Sequence, residues 1–258
     1  MKTTLIGELV KKQEASIQTG PFGTQLKASE YSSSGHPVIN VRNIGFGNLR
    51  PEKLEFIPDI KWKQLSSHQL HSKDIVFGRK GAVERHLFVQ SGQTNWIQGS
   101  DCIRLRLSGS SFYPRFVSYF LLTDQHSRWI HAQAGHAATM ASLNHDIIER
   151  IALPAFSLSI QQRIADILSA YDDLIAVNER RIAILEEMAR RVFEAWFLNV
   201  DGTLIRAEDL ITFNPKLAVD KMNPVTFVPM GSLGTGGMVI GRVAYVVEIG
   251  KLRNLRVT

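Results

Sequence analysis

The clearest hydrophobic pattern lies between residues 159 and 197. Apolar residues, with a few others that a coiled-coil contact tolerates, recur there in alternating steps of four and three, which is a heptad pattern. We call this line of residues along the helix the seam. No glycine or proline interrupts the segment, so it predicts one helix of roughly 55–60 Å whose seam needs a partner helix. The seam residues are Ile164, Leu168, Tyr171, Ile175, Asn178, Ile182, Leu185, Ala189, Val192 and Trp196.

Two interpretations of this helix stay open. It could pack on its own domain, or it could pair with a second copy of the chain. We favour the pair, because a lone helix would leave its apolar seam in water. In an antiparallel pair, Asn178 lies near the midpoint and would meet its own copy close to the dyad. A polar seam residue costs stability but fixes register, so we expect Asn178 to hold the pair in one register.

The first 155 residues mix strand-like and helix-like patterns. Two short apolar runs predict buried strands, and a third segment alternates apolar and charged residues like a half-buried strand. These segments are residues 37–41, 74–77 and 102–107. Residues 113–133 predict one helix with a buried aromatic face, and Pro154 closes the region. The aromatic residues of that face are Phe116, Tyr119, Phe120 and Trp129.

The residues after the long helix form a short C-terminal stub. Segments 226–230 and 243–247 predict strands between turn signals, but the stub is too short for a second core of similar size. The expected fold class is therefore α+β: a mixed α/β domain over 1–155, a long coiled-coil-forming helix over 156–200 and a stub over 201–258.

Charge is distributed unevenly along the 258 residues. The chain has 30 Lys+Arg, 24 Asp+Glu and a net charge of +6. Residues 1–155 carry +6, residues 156–200 carry −2 and residues 201–258 carry +2. The basic excess therefore lies in the N-terminal domain, where it could meet phosphates.

Several classes of protein are excluded by composition. The single cysteine, Cys102, excludes a disulfide scaffold and a cysteine-based zinc site. No apolar run approaches the roughly 18–20 residues of a membrane helix, and the first residues lack a secretory apolar stretch. We expect a soluble, cytoplasmic protein.

Each candidate catalytic motif in the sequence lacks at least one required residue. The glycines at 234–237 lack the third glycine of a dinucleotide loop, since position 239 is valine. The histidines at 68 and 71, and at 131 and 136, lack an HExxH setting, so we interpret them as polar loop and helix-surface side chains. Cys102 is predicted to be a small core residue. We expect no catalytic residue and no metal site.

Glycine-containing loops combine small polar groups with cations. Residues 78–86 follow a predicted strand, Arg42 and Asn43 follow another, and residues 135–139 form a third small-residue loop. Glycine lets backbone amides approach phosphates. Arginine can donate two hydrogen bonds to guanine, and asparagine can form two hydrogen bonds with adenine. Beside a dimerising helix, these loops favour a base-reading module.

An ordered series of motifs resembles the specificity subunits of Type I restriction–modification systems. The matching segments are 18–26, 37–44, 78–81, 98–102, 138–144, 151–154, 161–164, 185–189 and 196–197. The resemblance implies a target recognition domain that reads one half of a bipartite DNA site, followed by a spacer helix that sets the distance between half-sites. The residues then expected at double-stranded DNA are Thr19, Gly20, Phe22, Thr24, Lys27, Arg42, Asn43, Arg79, Lys80, Gly81, Arg85, His86, Gln98, Ser100, His136 and Thr139.

The resemblance also implies partners. Methyltransferase subunits carrying S-adenosylmethionine would dock around the helix, and a restriction subunit with ATP and Mg could join them. This chain itself would hold no cofactor and would not be an enzyme.

One departure from the family concerns domain number. Full members usually carry two recognition domains and two spacer helices, whereas this chain has one of each, with 201–258 as a linker and the incomplete start of a second domain. Two explanations of the single recognition domain stay open: the chain is a natural half-subunit, or it is the product of a broken reading frame. The rival from another class is a coiled-coil adaptor whose domain binds protein and not DNA. A single-chain nuclease or methyltransferase is the third possibility.

Overall fold

The structure is a computed structural model that describes residues 2–134, 141–197, 202, 205–212, 225–227 and 245–247. The chain divides into two compact units, Met1–Ala189 and Arg190–Thr258. The boundary between the units falls inside the long helix.

The described residues of the first unit contain ten short strands. They are β1 (Thr3–Leu5), β2 (Ala15–Thr19), β3 (His36–Ile39), β4 (Phe46–Gly47), β5 (Glu55–Ile57), β6 (Ile75–Gly78), β7 (His86–Phe88), β8 (Ile97–Gln98), β9 (Cys102–Leu107) and β10 (Ala152–Pro154). The central sheet has the order β2-β9-β6-β7-β4, antiparallel except for the last pair. A second sheet has the order β5-β3-β8. The three strands predicted in this region are confirmed as β3, β6 and β9.

Six helices follow the same chain order up to the long helix. They are α1 (Ile6–Lys11), α2 (Asp59–Gln64), α3 (Pro114–Leu121), α4 (Asp124–Ala134), α5 (His145–Glu149) and α6 (Leu158–Phe197). The main core packs apolar faces of α1, α3, α4 and α5 against β6 and β9. Strand β10 pairs with β1, so both ends of the domain meet where α6 begins.

The single helix predicted over 113–133 is wrong, because the chain forms two helices there. The Thr123 hydroxyl donates to the Phe120 carbonyl at 2.7 Å and accepts from the His126 amide at 3.3 Å. Thr123 therefore ends α3 and caps α4. Of the four predicted aromatic residues only Phe116 is buried, and the other three pack against the core while partly exposed.

Residues 102–105 of β9 are buried on both faces and residues 106 and 107 are half-buried, which corrects the prediction of a strand with only one buried face. Arg104 is only 5% exposed and donates to the Gln69 carbonyl at 3.1 Å. Arg106 forms a two-pronged ion pair with Asp74, with both N···O distances 2.7 Å. The buried Arg104 and half-buried Arg106 guanidinium groups are tolerated because segment 66–74 covers them and supplies oxygen partners.

Helix α6 confirms the long helix predicted from the heptads. It has 40 residues, and only Gln161 and Ala165 in its first turns are buried. Every residue from 171 to 197 is exposed. Apolar burial against its own domain is therefore confined to the first turns of α6, and the seam from Tyr171 onward is exposed. Within the described residues, no helix combines the length and apolar character needed to cross a membrane.

The second unit contains helix α7 (Ala207–Leu210) and an antiparallel pair, β11 (Val225–Phe227) with β12 (Tyr245–Val247). These two strands overlap the segments predicted in the stub, and residues 228–230 and 243–244 of those segments lie outside the described residues.

Candidate nucleic-acid interface

Five strand ends meet at one edge of the central sheet. Because of the strand directions, the C-terminal ends of β2 and β6 lie beside the N-terminal ends of β9, β7 and β4. At about 4.8 Å between neighbouring strands, this edge is about 20 Å long. That exceeds the roughly 12 Å width of the DNA major groove. We call residues 19–24, 42–46, 79–85 and 99–101 the strand-end surface.

Backbone hydrogen bonds hold the loops of the strand-end surface together. The Arg79 amide donates to the Asp101 carbonyl at 2.8 Å. Residues 141–143 run along the same loop, where the Leu143 amide donates to the Arg79 carbonyl at 2.7 Å. The Gly81 amide donates to the Ala141 carbonyl at 3.0 Å. These bonds fix loops that are distant in sequence at one place.

Two glycines are required by this geometry. A Cβ on Gly20 would overlap the Gly99 carbonyl oxygen, so only glycine permits the two loops to approach. Gly81 has a φ of +84°, in the left-handed region that favours glycine, with open space around it.

Cations stack on exposed aromatic rings at two places on the surface. The Arg79 guanidinium lies over the Phe22 ring, 5.1 Å from its centroid, and Phe22 is 54% exposed. The Arg85 guanidinium lies over Phe46 at 5.3 Å, and Phe46 is 56% exposed. A stacked guanidinium keeps its donors in a fixed plane, which suits phosphates and base edges.

The other predicted residues of this region differ in availability. Lys80, Thr24 and Lys27 are exposed, and Ser100 is half-buried. Arg42 is already engaged with Glu55, since its Nη2 lies 2.5 Å from the carboxylate. His136 and Thr139 lie outside the described residues.

Asn43 and Gln98 are fully buried, which corrects their assignment to the DNA. The Asn43 side-chain amide donates to the Arg50 carbonyl at 3.0 Å and so holds the turn after β3. The Gln98 amide donates to the Gln18 carbonyl at 2.7 Å. Both side chains support the loops from beneath.

His86 is also fully buried, so its predicted DNA contact is corrected as well. Its Nε2 lies 2.8 Å from the Ser118 hydroxyl. Burial, with smaller contributions from His126 and Arg115, lowers the pKa of His86 to about 3, so the ring is neutral at pH 7. The interpretation of His68 as a polar surface residue also fails, because His68 is buried.

Two polar residues here were missed by the sequence patterns. His145 lies at the start of α5, and its Nε2 is 2.8 Å from the Thr19 hydroxyl at the end of β2. The matched motif stops at Asn144, which caps α5, so the motif itself points to its neighbour. The exposed Asp101 adds a carboxylate that could accept from a cytosine amino group.

Among the residues that the structure describes, no group of three or more His, Cys, Asp or Glu could hold a metal ion. Burial raises the pKa of Cys102 to about 12, so its thiol stays protonated. Its position confirms the prediction of a small core residue.

Comparison with protein families gives one match that covers most of the first unit. Residues 27–187 match the family model of the Type I restriction modification DNA specificity domain.

Individual relatives agree with the family match. The chain is 23% identical over 166 residues to the Type I restriction enzyme MjaX specificity subunit of Methanocaldococcus jannaschii, covering 63% of this chain and 39% of the relative. It is 24% identical over 127 residues to the HindI specificity subunit of Haemophilus influenzae, covering 49% and 28%. The fold is similar to the S subunit of a Type I restriction–modification system from M. genitalium, with a TM-score of 0.50, 16% identity and coverage of 76% and 44%. The chain thus spans less than half the length of each.

Proposed function

Because the chain belongs to the Type I restriction–modification DNA specificity family, we propose that it reads one half of a bipartite DNA site and docks methyltransferase subunits. The observation that carries the proposal is the strand-end surface. It presents two exposed aromatic rings with stacked guanidinium groups, beside an exposed lysine. These groups can hold phosphates and read base edges together.

The exposed faces of α6 support two separate docking events. The heptad seam is one face. A second apolar row is 47–56% exposed and lies roughly 70–130° around the helix from the seam, at 3.6 residues per turn. This row consists of Ile167, Leu174, Val177, Ile184 and Met188. We assign the seam to a second copy of the chain and the row to a methyltransferase subunit.

The division of labour leaves the chemistry to the partners. S-adenosylmethionine belongs to the methyltransferase subunits, and ATP and Mg belong to a restriction subunit that joins them. This chain supplies recognition and geometry.

The test is methylation mapping with the reconstituted complex. The chain is purified with methyltransferase subunits and incubated with genomic DNA and S-adenosylmethionine, and the methylated positions are sequenced. We expect one bipartite sequence, with inverted identical half-sites if two copies pair. Methylation by the chain alone, or methylation without sequence preference, would refute the proposal. A stable complex that binds no DNA would favour a protein-binding adaptor.

A further inference from the structure

The long helix is held on its domain at two places. The first is the start of α6, where the buried Gln161 side chain accepts from the Tyr113 amide at 2.9 Å. The same side chain donates to the carbonyls of Ser111 and Phe156 at 3.1 and 2.9 Å. Ala165 is buried one turn later. This attachment fixes where the helix starts.

The second place lies on the next turns of α6 and is made of polar side chains. The Arg115 Nη2 donates to the Asp172 carboxylate at 3.0 Å. The Tyr119 hydroxyl donates to the same carboxylate oxygen at 2.6 Å and lies 3.1 Å from the Ser169 hydroxyl. We call Arg115, Tyr119, Ser169 and Asp172 the helix clamp.

The helix clamp is anchored in the domain core. The Arg115 guanidinium lies over the Phe88 ring of β7 and over the Tyr119 ring, 4.8 Å from each centroid. Burial, followed by the hydrogen bond to Asp172, raises the pKa of Tyr119, so its hydroxyl remains a donor at neutral pH. The sheet that carries the strand-end surface is thereby connected to α6.

A single attachment to the domain would leave the direction of the α6 axis free, whereas two attachments along the helix fix that direction. Gln161 and Asp172 are about 16 Å apart along the helix, at 1.5 Å per residue. From Asp172 to Ala189 the helix continues for about 26 Å. A tilt of about 8° at the clamp would move that position by about 3.5 Å, which is close to the rise of one base pair.

We propose that the helix clamp is a positioning device that sets the angle between the recognition domain and α6, and with it the spacing of the two half-sites. This inference rests on the proposed function. Asp172, Arg115 and Tyr119 would act through the helix axis and would not contact DNA.

The first test compares Asp172→Asn and Tyr119→Phe with Asp173→Asn in the methyltransferase complex. Asp173 is exposed next to the clamp and makes no hydrogen bond or ion pair in the described structure, so its variant controls for charge. Methylation rates are measured on sites whose spacer is one base pair shorter or longer than the mapped one. We expect a preference of at least about tenfold in the wild type and the control, falling to about threefold or less in the clamp variants.

The second test is a distance measurement that does not depend on activity. Spin labels are placed at Lys12→Cys in the domain and Glu186→Cys on the helix, both exposed, while the native Cys102 is buried. The distance distribution should broaden or shift in the clamp variants and not in the control. An unchanged distribution together with an unchanged spacing preference would overturn the clamp. A wild-type complex without any site-specific methylation would instead overturn the proposed function. The spin-label distances would still test the clamp, because they compare the wild type with the clamp variants without requiring methylation.

Discussion

The strand-end surface and helix α6 are encoded in opposite ways. The helix carries its seam and second row within 40 consecutive residues, repeated with a constant period and exposed along most of their length. The strand-end surface collects loops from residues 19 to 101, with no period among them, and residues 141–145 run beside it. A repeated pattern suits an assembly contact, which needs many equivalent positions. Base reading needs a few different groups at fixed places, so its residues are scattered.

The largest effect is expected from breaking the seam. Ile175→Asp with Leu185→Asp places two charges where apolar side chains should pack, and each buried aliphatic side chain is worth about 1.5–3 kcal/mol. We expect self-association to weaken by at least about 100-fold, measured by light scattering without methyltransferase. Leu174→Asp with Ile184→Asp, on the second row, should leave self-association intact. A wild-type chain that is monomeric at tens of micromolar would contradict the assignment.

Gly20→Val tests whether the loops of the strand-end surface are held in close contact. Its side chain would collide with the Gly99 backbone, which cannot move as a flexible side chain would. We expect a loss of about 2–4 kcal/mol in the free energy of unfolding, measured by chemical denaturation. Gly92→Ala is the control, because nothing lies within 4 Å of an added Cβ there. Equal stability of the two variants would mean that the loops are not held in close contact.

The buried histidines His86 and His126 predict that the free energy of unfolding depends on pH. The pKa of His86 is about 3 in the folded chain, whereas an unburied histidine has a pKa of 6.5. Between these two pH values the unfolded chain therefore binds more protons than the folded chain. Stability should therefore fall as pH decreases from about 6.5 towards 3. From pH 7 to 5 the loss is about 2 kcal/mol for His86.

His86→Gln separates this contribution from that of His126, whose pKa burial lowers to about 4. Denaturation curves at both pH values should show a smaller pH-dependent loss in the variant than in the wild type. An identical pH dependence would mean that His86 is accessible and titrates normally.

The smallest effect concerns register within the seam. Asn178→Leu should stabilise the paired helices by about 1 kcal/mol, because a polar group leaves an apolar interface. The same change should loosen the spacing of methylated half-sites. Thermal melting and methylation mapping give the two readouts, and a destabilised pair with unchanged spacing would argue that Asn178 lies off the contact.

Sequence patterns predict α6 and the inner strands because their signal is local. Residues 102–107 were located as β9, but their burial on both faces depends on segment 66–74, which no periodicity places there. The break between α3 and α4 was missed because one threonine hydroxyl decides it.

The candidate site was predicted only in part for a related physical reason. A glycine-containing loop identifies the region, yet the direction of each side chain depends on neighbouring loops. Phe22, Arg79 and Lys80 face outward, whereas Asn43, His86 and Gln98 point inward to satisfy buried partners. Polar residue type alone does not separate a base reader from a loop support.

The most direct test of the account is the salt dependence of DNA binding by the methyltransferase complex. Arg79→Ala with Lys80→Ala is compared with Lys11→Ala with Lys12→Ala, which removes two exposed cations at the opposite end of β2. If the two surface cations contact phosphates, the slope of log K against log salt should decrease in magnitude by about 2, and the control should match the wild type. Wild-type affinity and slope in the Arg79 and Lys80 variant, across the whole salt series, would show that the strand-end surface does not bind DNA.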